Sequence, residues 1–259
     1  MKHVCDFTVK EIKSLQYNDF ELIVTSDREI EPVYAGQFVN ILVANTQKTF
    51  LRRPISICDV NYAENELRFY IRIVGDGTQT LSTLQKGDKV NILYPLGNTF
   101  TIEKVKNPLL VGGGCGIAPL LFLAKTFASK NIRPVVLMGG QTADALSWTS
   151  DFDAFAEVHR ITNDGSMGEQ GLVTNHSILK NIGKFDRVYT CGPEVMMKEV
   201  AKLAVLADIP CEVSLENTMA CGIGACLCCV TETTQGNRCV CVDGPIFEVH
   251  ELNNFINKQ

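Results

Sequence analysis

The 259-residue chain predicts three consecutive structural units: an antiparallel β-barrel, a doubly wound parallel α/β domain and a short cysteine-rich module, an α+β multidomain arrangement. Three observations carry that division. Up to about Glu103 apolar side chains recur with period two, and from Asn107 to about Ser214 apolar strand-like runs alternate with helical stretches. Six of the eleven cysteines then crowd between Cys221 and Cys241. The boundaries read as 1–104, 105–213 and 214–259. An apolar content of 46% supports a substantial core. A net charge of −5 without a Lys/Arg run excludes a nucleic-acid platform. No apolar stretch reaches membrane-spanning length, since the nearest, Pro108–Leu123, carries a run of glycines and Pro119. A cytoplasmic location with no nucleic-acid or membrane partner is the expectation.

In the first unit Phe7 and Val9, then Phe20, Leu22 and Val24, then Phe38, Asn40 and Leu42, then Leu67, Phe69, Ile71 and Ile73, then Val90 and Ile92 alternate with neighbours of different character. Ala35-Gly36, Ala63-Glu64-Asn65, Gly75-Asp76-Gly77 and Lys86-Gly87-Asp88 supply turn signals between them. Many short strands of this kind predict a small barrel. Within it, the run Arg52-Arg53-Pro54-Ile55-Ser56-Ile57 reads as an extended strand with Arg53 and Ile55 on one face and Pro54 stiffening the approach. Tyr70-Ile71-Arg72 precedes Gly75-Asp76-Gly77-Thr78, whose backbone N–H groups can close on a pyrophosphate. A plain hairpin turn with an exposed Arg72 is the alternative for that segment.

The second unit has strand-like runs at Leu109–Val111, Val135–Met138, Val158–Ile161, Arg187–Thr190 and Cys211–Leu215. Between them lie helical stretches at Pro119–Ser129, Ser150–Phe155, Leu172–Lys180 and Glu194–Leu206, a rhythm that predicts a parallel doubly wound sheet. Gly112-Gly113-Gly114-Cys115-Gly116-Ile117-Ala118-Pro119 joins the first strand to its helix and leaves room for phosphates at a positive helix N-terminus. It departs from G-x-G-x-x-G, because Ile117 stands where the last glycine belongs. Asp164, after the third strand, is positioned to accept from ribose hydroxyls, with an Asp-Gly turn as the alternative. No Arg or Lys cluster near Gly139-Gly140-Gln141-Thr142 or Asp164 awaits a 2′-phosphate, which favours NAD over NADP. Cys191-Gly192-Pro193 ends the fourth strand, and Met196 and Met197 beyond it read as helix core.

In the tail, Cys221, Cys226 and Cys229 read C-x4-C-x2-C, the plant-type spacing for a [2Fe–2S] cluster, with Cys239 or Cys241 as fourth ligand. Gly222 and Gly224 let that loop bend around sulfide and aim N–H groups at sulfur. With no hydrophobic core of its own, the tail is expected to use the cluster as its core. Zinc is the weaker reading, because Cys239-x-Cys241 is not a second C-x2-C knuckle. Disulfides are weaker still, since Met1-Lys-His-Val-Cys-Asp runs into a strand pattern without an apolar leader. Cys228 and one of Cys239 and Cys241 exceed what one cluster needs. Cys5, Cys58, Cys115, Cys191 and Cys211 read as free thiols.

These segments together resemble the ferredoxin-reductase superfamily. Its barrel carries an arginine-x-aromatic-serine flavin motif, so the resemblance implies FAD bound by Arg53, Pro54, Ile55, Ser56, Tyr70, Ile71, Arg72, Gly77 and Thr78. The arginine would pair with flavin phosphate, and Ile55 replaces the usual aromatic. The same resemblance implies NAD as co-substrate at Gly112, Gly113, Gly114, Gly116, Asp164, Cys191, Gly192 and Pro193. More narrowly, Leu51–Ile57, Ser214-Leu215-Glu216-Asn217, Met219–Cys226 and Cys241-Val242-Asp243-Gly244-Pro245-Ile246-Phe247 resemble the electron-transfer subunits of type B dihydroorotate dehydrogenase. That family implies Cys241 as the fourth ligand beside Cys221, Cys226 and Cys229. It also implies an FMN-containing catalytic partner, in a heterotetramer of two copies of each chain, serving pyrimidine biosynthesis. Electrons would pass from the partner through the cluster to FAD and as hydride to NAD+. No catalytic acid or base is expected on this chain, nor activity toward dihydroorotate without the partner. The nearest alternative is the small FAD/[2Fe–2S] subunit of another NAD(P)H-linked complex, a ferredoxin transhydrogenase or sulfide-type reductase. A cluster-bearing redox sensor lacking flavin is the reading from another class.

Overall fold

The structure, a computed structural model, describes residues 1–44, 46 and 48–256. The expected first unit therefore has two positions, and the expected third unit its last three residues, outside the described part. The first sheet contains β1 (His3–Ser14), β2 (Asp19–Thr25), β3 (Phe38–Ile41), β4 (Arg53–Ser56), β5 (Asp59–Asn61), β6 (Glu66–Arg72) and, after helix α1 (Asp76–Leu81), β7 (Lys89–Leu96). Its order is β4-β3-β7-β1-β2-β6-β5, antiparallel throughout. Closure comes just after β4, where Ile57 N donates to Gln37 O at 3.1 Å and Cys58 N to Arg68 O at 3.0 Å. Phe7, Phe20, Leu22, Leu67, Phe69 and Ile92 fill the interior, as the period-two reading predicts.

Two local expectations change. Gly75-Asp76-Gly77 is not a hairpin turn but the entry to α1. Thr78 decides this, because its Oγ1 accepts from Val74 N at 2.9 Å and Gly75 N at 3.3 Å, so amides that an open turn would leave to water are used internally. In β3 the barrel core takes Val39 and Ile41, while Phe38 and Asn40 face the other way. All four β3 residues are nevertheless buried, because later parts of the chain cover the outer face.

The second sheet contains β8 (Pro108–Gly113), β9 (Val135–Gly140), β10 (Glu157–Thr162), β11 (Glu169–Gln170), β12 (Arg187–Cys191) and β13 (Cys211–Ser214), with α2 (Ala118–Ser129) after β8 and α3 (Glu194–Leu206) after β12. The parallel strands stand in the order β11-β10-β9-β8-β12-β13. Chain order reverses between β8 and β12, which opens a crevice at their C-terminal ends. The stretches Ser150–Phe155 and Leu172–Lys180 form 3-10 turns rather than α-helices, at Thr149–Ala154, Val173–Asn175 and Ser177–Lys184. His176, extended at φ −59° and ψ 136°, interrupts the last two.

The tail adds a hairpin of β14 (Val230–Thr233) and β15 (Gly236–Cys239), then β16 (Ile246–Glu248), which pairs antiparallel with β13 and extends the second sheet. Met219, Val240, Phe247, Leu252 and Phe255 join one continuous core with Met197, Val200 and Ala201 of α3. This corrects the expectation that a cluster alone would be the tail's core. The tail's apolar residues are too few for a separate core, but they suffice when they share the sheet's.

Where barrel, sheet and tail meet, Glu212 is buried on β13. It accepts from Thr101 N at 3.0 Å and lies 3.4 Å from Arg187, which also pairs with Glu248. Burial pushes the Glu212 carboxyl up to about 7, although the Thr101 amide and Arg187 oppose the shift. A carboxyl raised in the folded state contributes stability below its ordinary titration range and loses it as pH rises through about 7. The thermal midpoint should therefore fall from about pH 5 to 8, and Glu212→Gln should remove that part of the slope. Thermal scans across pH test this, and an unchanged slope in the variant would assign the titration elsewhere.

Candidate functional site

A cavity of about 380 Å³ lies at the edge strand β4. Arg53, Pro54, Ile55, Ser56, Tyr70, Ile71, Arg72 and Thr78 line it, together with Phe38, Cys115 and Ala118 and the tail residues Glu216, Asn217, Met219 and Pro245. A second cavity of about 430 Å³ continues past Arg53 to Gly75, Asp76, Gly77 and Thr78, with Lys48 and Phe50 on its rim. All nine residues that the sequence assigns to flavin thus lie in two adjoining cavities. A Cβ on Gly77 would stand 2.9 Å from Arg53 Cδ, so a larger residue there would push the arginine side chain aside.

The two arginines differ in what neutralises them. Arg72 forks onto the buried Asp19 at 2.8 Å through both Nε and Nη2, and Tyr70 also donates its hydroxyl to Asp19. The Asp19 hydrogen bonds raise Arg72 further above its ordinary range, while burial followed by Asp19 raises Tyr70. The Tyr70 ring stacks on Trp148 with centroids 4.1 Å apart. Among the described residues the barrel's arginine ion pairs use Arg68 and Arg72, which leaves Arg53 as the cation of β4 facing the cavities. Glu216, which the sequence reading did not assign, lines the first cavity, and burial raises its carboxyl. Its place beside Asn217 in a family-like segment is the only signal the sequence holds for it.

A third cavity of about 340 Å³ occupies the crevice between β8 and β12. Gly113 and Gly114, Gly139 to Gln141, Asn163, Gly171 to Thr174, Pro193, Val195, Met196 and Glu199 line it, and Tyr17 and Arg72 reach it from the barrel. Of the residues assigned to NAD, Gly113, Gly114 and Pro193 are on its walls. Gly112 packs beneath them against Ile117 and Leu120, and a Cβ on Gly116 would stand 2.4 Å from Gly192, so these two glycines let the β8 and β12 loops touch. Cys191 is buried, and desolvation holds its thiol well above the ordinary range. Asp164 is not among those lining residues, which fits the Asp-Gly turn that the sequence offers as its alternative. Its Oδ1 accepts from Ser166 N at 3.0 Å and Ser166 Oγ at 2.6 Å, closing its own turn, while Asn163 faces the cleft. Met197 is core, as expected, but Met196 lines the cleft beside Gly113. Tyr17 was invisible in the sequence. It stands at φ +62° in a tight turn, holds its ring 5.0 Å from the Arg72 guanidinium and donates its hydroxyl to Gln141. Arg72 therefore stands in the wall between the flavin-side cavity and the cleft.

The cysteine loop lies across the outer face of β3. Ile223 N and Cys226 N donate to Cys221 Sγ at 3.4 Å, Gly224 N to Cys241 Sγ at 3.2 Å and Cys241 N to Cys229 Sγ at 3.4 Å. The Ile223 amide, with Cys226, pulls the Cys221 thiol down to about 6. Burial and the adjacent Cys229 thiol push Cys241 up to about 12, against the Gly224 amide. Among the described residues no three His, Cys, Asp or Glu side chains converge as they would on one metal ion. Cys226 lies beside Cys221, and both Cys241 and Cys239 lie beside Cys229. Thiols gathered in neighbouring sets, with amides already aimed at sulfur, suit a binuclear cluster better than a single ion. Cys239 also borders Cys229, but its own N–H donates to Asp243 Oδ2 at 2.8 Å. Cys228 is exposed.

Residues 216–253 match the family described as the iron–sulfur cluster binding domain of dihydroorotate dehydrogenase B. The chain is 36% identical over 252 residues to the dihydroorotate dehydrogenase B (NAD(+)) electron transfer subunit of Fusobacterium nucleatum, covering 93% of this chain and 95% of the relative. It is 37% identical over 242 residues to the protein of the same name from Lysinibacillus sphaericus, covering 91% and 93%. A chain of an NADH-dependent reduced ferredoxin-NADP oxidoreductase, solved for flavin-based electron bifurcation, superposes with a TM-score of 0.85 at 29% identity, covering 95% and 89%. A ferredoxin NADP+ reductase from Neisseria gonorrhoeae with bound FAD and NADP shares the fold, at a TM-score of 0.65 and 17% identity over 79% and 91% of the two chains. Identity above one third over more than nine-tenths of the chain shows the family: the chain belongs to the dihydroorotate dehydrogenase B electron transfer subunits.

Proposed function

We propose that this chain takes electrons from a catalytic dihydroorotate dehydrogenase subunit and delivers them to NAD+, as an oxidoreductase subunit of pyrimidine biosynthesis. One observation carries the reading. The cavity at β4 is walled by the barrel on one side, by the cysteine tail on a second and by the β8–α2 segment of the nucleotide cleft on a third. When bound, the [2Fe–2S] cluster supplies one-electron transfer, and FAD collects two electrons for hydride transfer to NAD+.

In this reading Arg53 holds flavin phosphate, and Pro54, Ile55 and Ser56 lie along the ring system. Tyr70 and Ile71 pack beside it. Gly77 and Thr78 shape the pyrophosphate end. Arg72 spends its charge on Asp19, so it acts in the partition between the flavin and nicotinamide sites rather than as a phosphate clamp. Gly113, Gly114 and Pro193 receive NAD, and Gly112, Gly116, Cys191 and Gly192 support that floor. Alignment is what hydride transfer needs from the protein, and a packed floor supplies it. Cys221, Cys226, Cys229 and Cys241 hold the cluster. The division at 1–104, 105–213 and 214–259, a cytoplasmic location and a heterotetramer of two copies of each chain belong to the same proposal. No described helix is long and apolar enough to cross a membrane. Exposed Ile223, Leu227 and Val242 surround the cluster loop and suit an apolar docking face for the FMN-containing catalytic subunit.

The deciding experiment is anaerobic NAD+ reduction by dihydroorotate, with this chain alone and then mixed with the catalytic subunit from the same source. Activity only in the mixture is expected. Failure in both, with NADH oxidation by an artificial acceptor intact, would move the chain to another partner. Cys241→Ser should abolish the cluster's absorption and EPR signal while Cys239→Ser keeps them, and the reverse would exchange the two ligands. Leu227→Asp should weaken association with the catalytic subunit at least tenfold without loss of NADH oxidation by the isolated chain. Leu227 sits at φ +57°, a conformation aspartate tolerates better than leucine, so the loop should keep its shape. Unchanged association by analytical ultracentrifugation would place the docking face elsewhere.

A further inference from the structure

Asn40 is fully buried on β3, and among the described residues neither its Nδ2 nor its Oδ1 has a hydrogen-bond partner. A buried amide in that state is costly, and a leucine could occupy the space without the penalty. The side chain is held in place. Asn40 pairs with Pro54 and Leu93 across the sheet, and its carbonyl accepts from Arg52 Nη1 at 3.2 Å, while the same Arg52 nitrogen donates to Asn91 O at 3.1 Å.

What Asn40 faces is the cysteine loop. A Cβ built on Gly222 would lie 2.4 Å from Asn40 Nδ2, so the loop passes over the amide only because residue 222 is glycine, at φ +70°. Gly222 follows Cys221 directly. The amides of Ile223, Gly224 and Cys226 serve the thiols from within the tail. Asn40 reaches the same loop from the barrel, two residues along β3 from Phe38 of the flavin-side cavity.

We propose that the Asn40 side-chain amide donates a hydrogen bond to the sulfur shell of the [2Fe–2S] cluster at Cys221 and its loop, and thereby raises the cluster's reduction potential. The proposal rests on the cluster reading above. A donor at sulfur stabilises the reduced, more negative cluster over the oxidised one, so removing it lowers the potential. Asn40 is a positioning and tuning residue, touching neither dihydroorotate nor nicotinamide.

The test uses the purified chain with its cofactors, grown with asparagine labelled with ¹⁵N at the side-chain amide and reduced with dithionite. Pulsed EPR should detect a ¹⁵N coupling to the cluster that Asn40→Leu abolishes. In an EPR-monitored titration the variant should shift the cluster's reduction equilibrium about tenfold toward the oxidised form, about 59 mV for one electron. Flavin content and NADH oxidation by ferricyanide should hold. Absence of the coupling in the wild type, or its survival in the variant, overturns the proposal. Should the leucine variant load no cluster, Asn40→Ala replaces it with the same expected outcomes. A wild-type preparation with flavin but no cluster signal would overturn the cluster reading itself, an outcome distinct from a cluster without the coupling.

Discussion

The arrangement depends on how the chain returns at Asp243–Glu248. Asn98, just beyond the last barrel strand, donates from Nδ2 to the carbonyls of Asp243 and Ile246, both at 2.8 Å, and accepts from Ile246 N at 2.9 Å. Its backbone N–H donates to Gly244 O at 2.6 Å, and Leu215 N reaches Pro245 O at 2.9 Å. Strand β16 then joins β13. One short segment is therefore bonded to the barrel and to the nucleotide sheet at once. A buried peptide must find partners for its polar groups, and here they come from two different units. The cysteine loop, bounded at one end by this segment, is fixed against β3.

That constraint explains why the three cavities adjoin. Pro245 and Met219 wall the flavin-side cavity because the tail is held there, and Cys115 and Ala118 wall it because α2 starts where the barrel edge ends. Arg72 stands in the wall toward the nucleotide cleft, neutralised by the buried Asp19. A cation in that place without its carboxylate would be expensive to bury, and the bidentate pair offsets the cost. The forked ion pair, with the Tyr70 hydroxyl on the same carboxylate and the Tyr17 ring beside the guanidinium, fixes Arg72 in that wall.

Strand β3 shows where sequence patterning misleads. Phe38, Asn40 and Leu42 alternate with Val39, Ile41 and Val43, so either set could be the inward one. Over Phe38–Ile41 both faces are covered, the inner by the barrel core and the outer by the tail, whereas Leu42 just beyond is exposed. Period-two reading assumes one wet face, and that assumption fails for a strand sandwiched between units. Likewise Asp164 and Asn163 are adjacent and equally polar. Only the turn that Asp164 closes on Ser166 decides which of them faces the cleft.

The sequence by itself determined the order of the units, the extent of α3, the parallel strands apart from β11, the extended segment at Arg53–Ser56 and the cysteine spacing. Each is a local signal, set by side-chain periodicity or by residues within one turn of chain, and so it survives without knowledge of what packs against it. Tertiary structure alone decided that the tail shares the sheet's core, that Tyr17 reaches Gln141, that Glu216 enters the flavin-side cavity and that Asn40 lies under Gly222. These contacts join residues far apart in the chain. Their partners are chosen by which surfaces the fold brings together, and no periodicity along the chain encodes that choice.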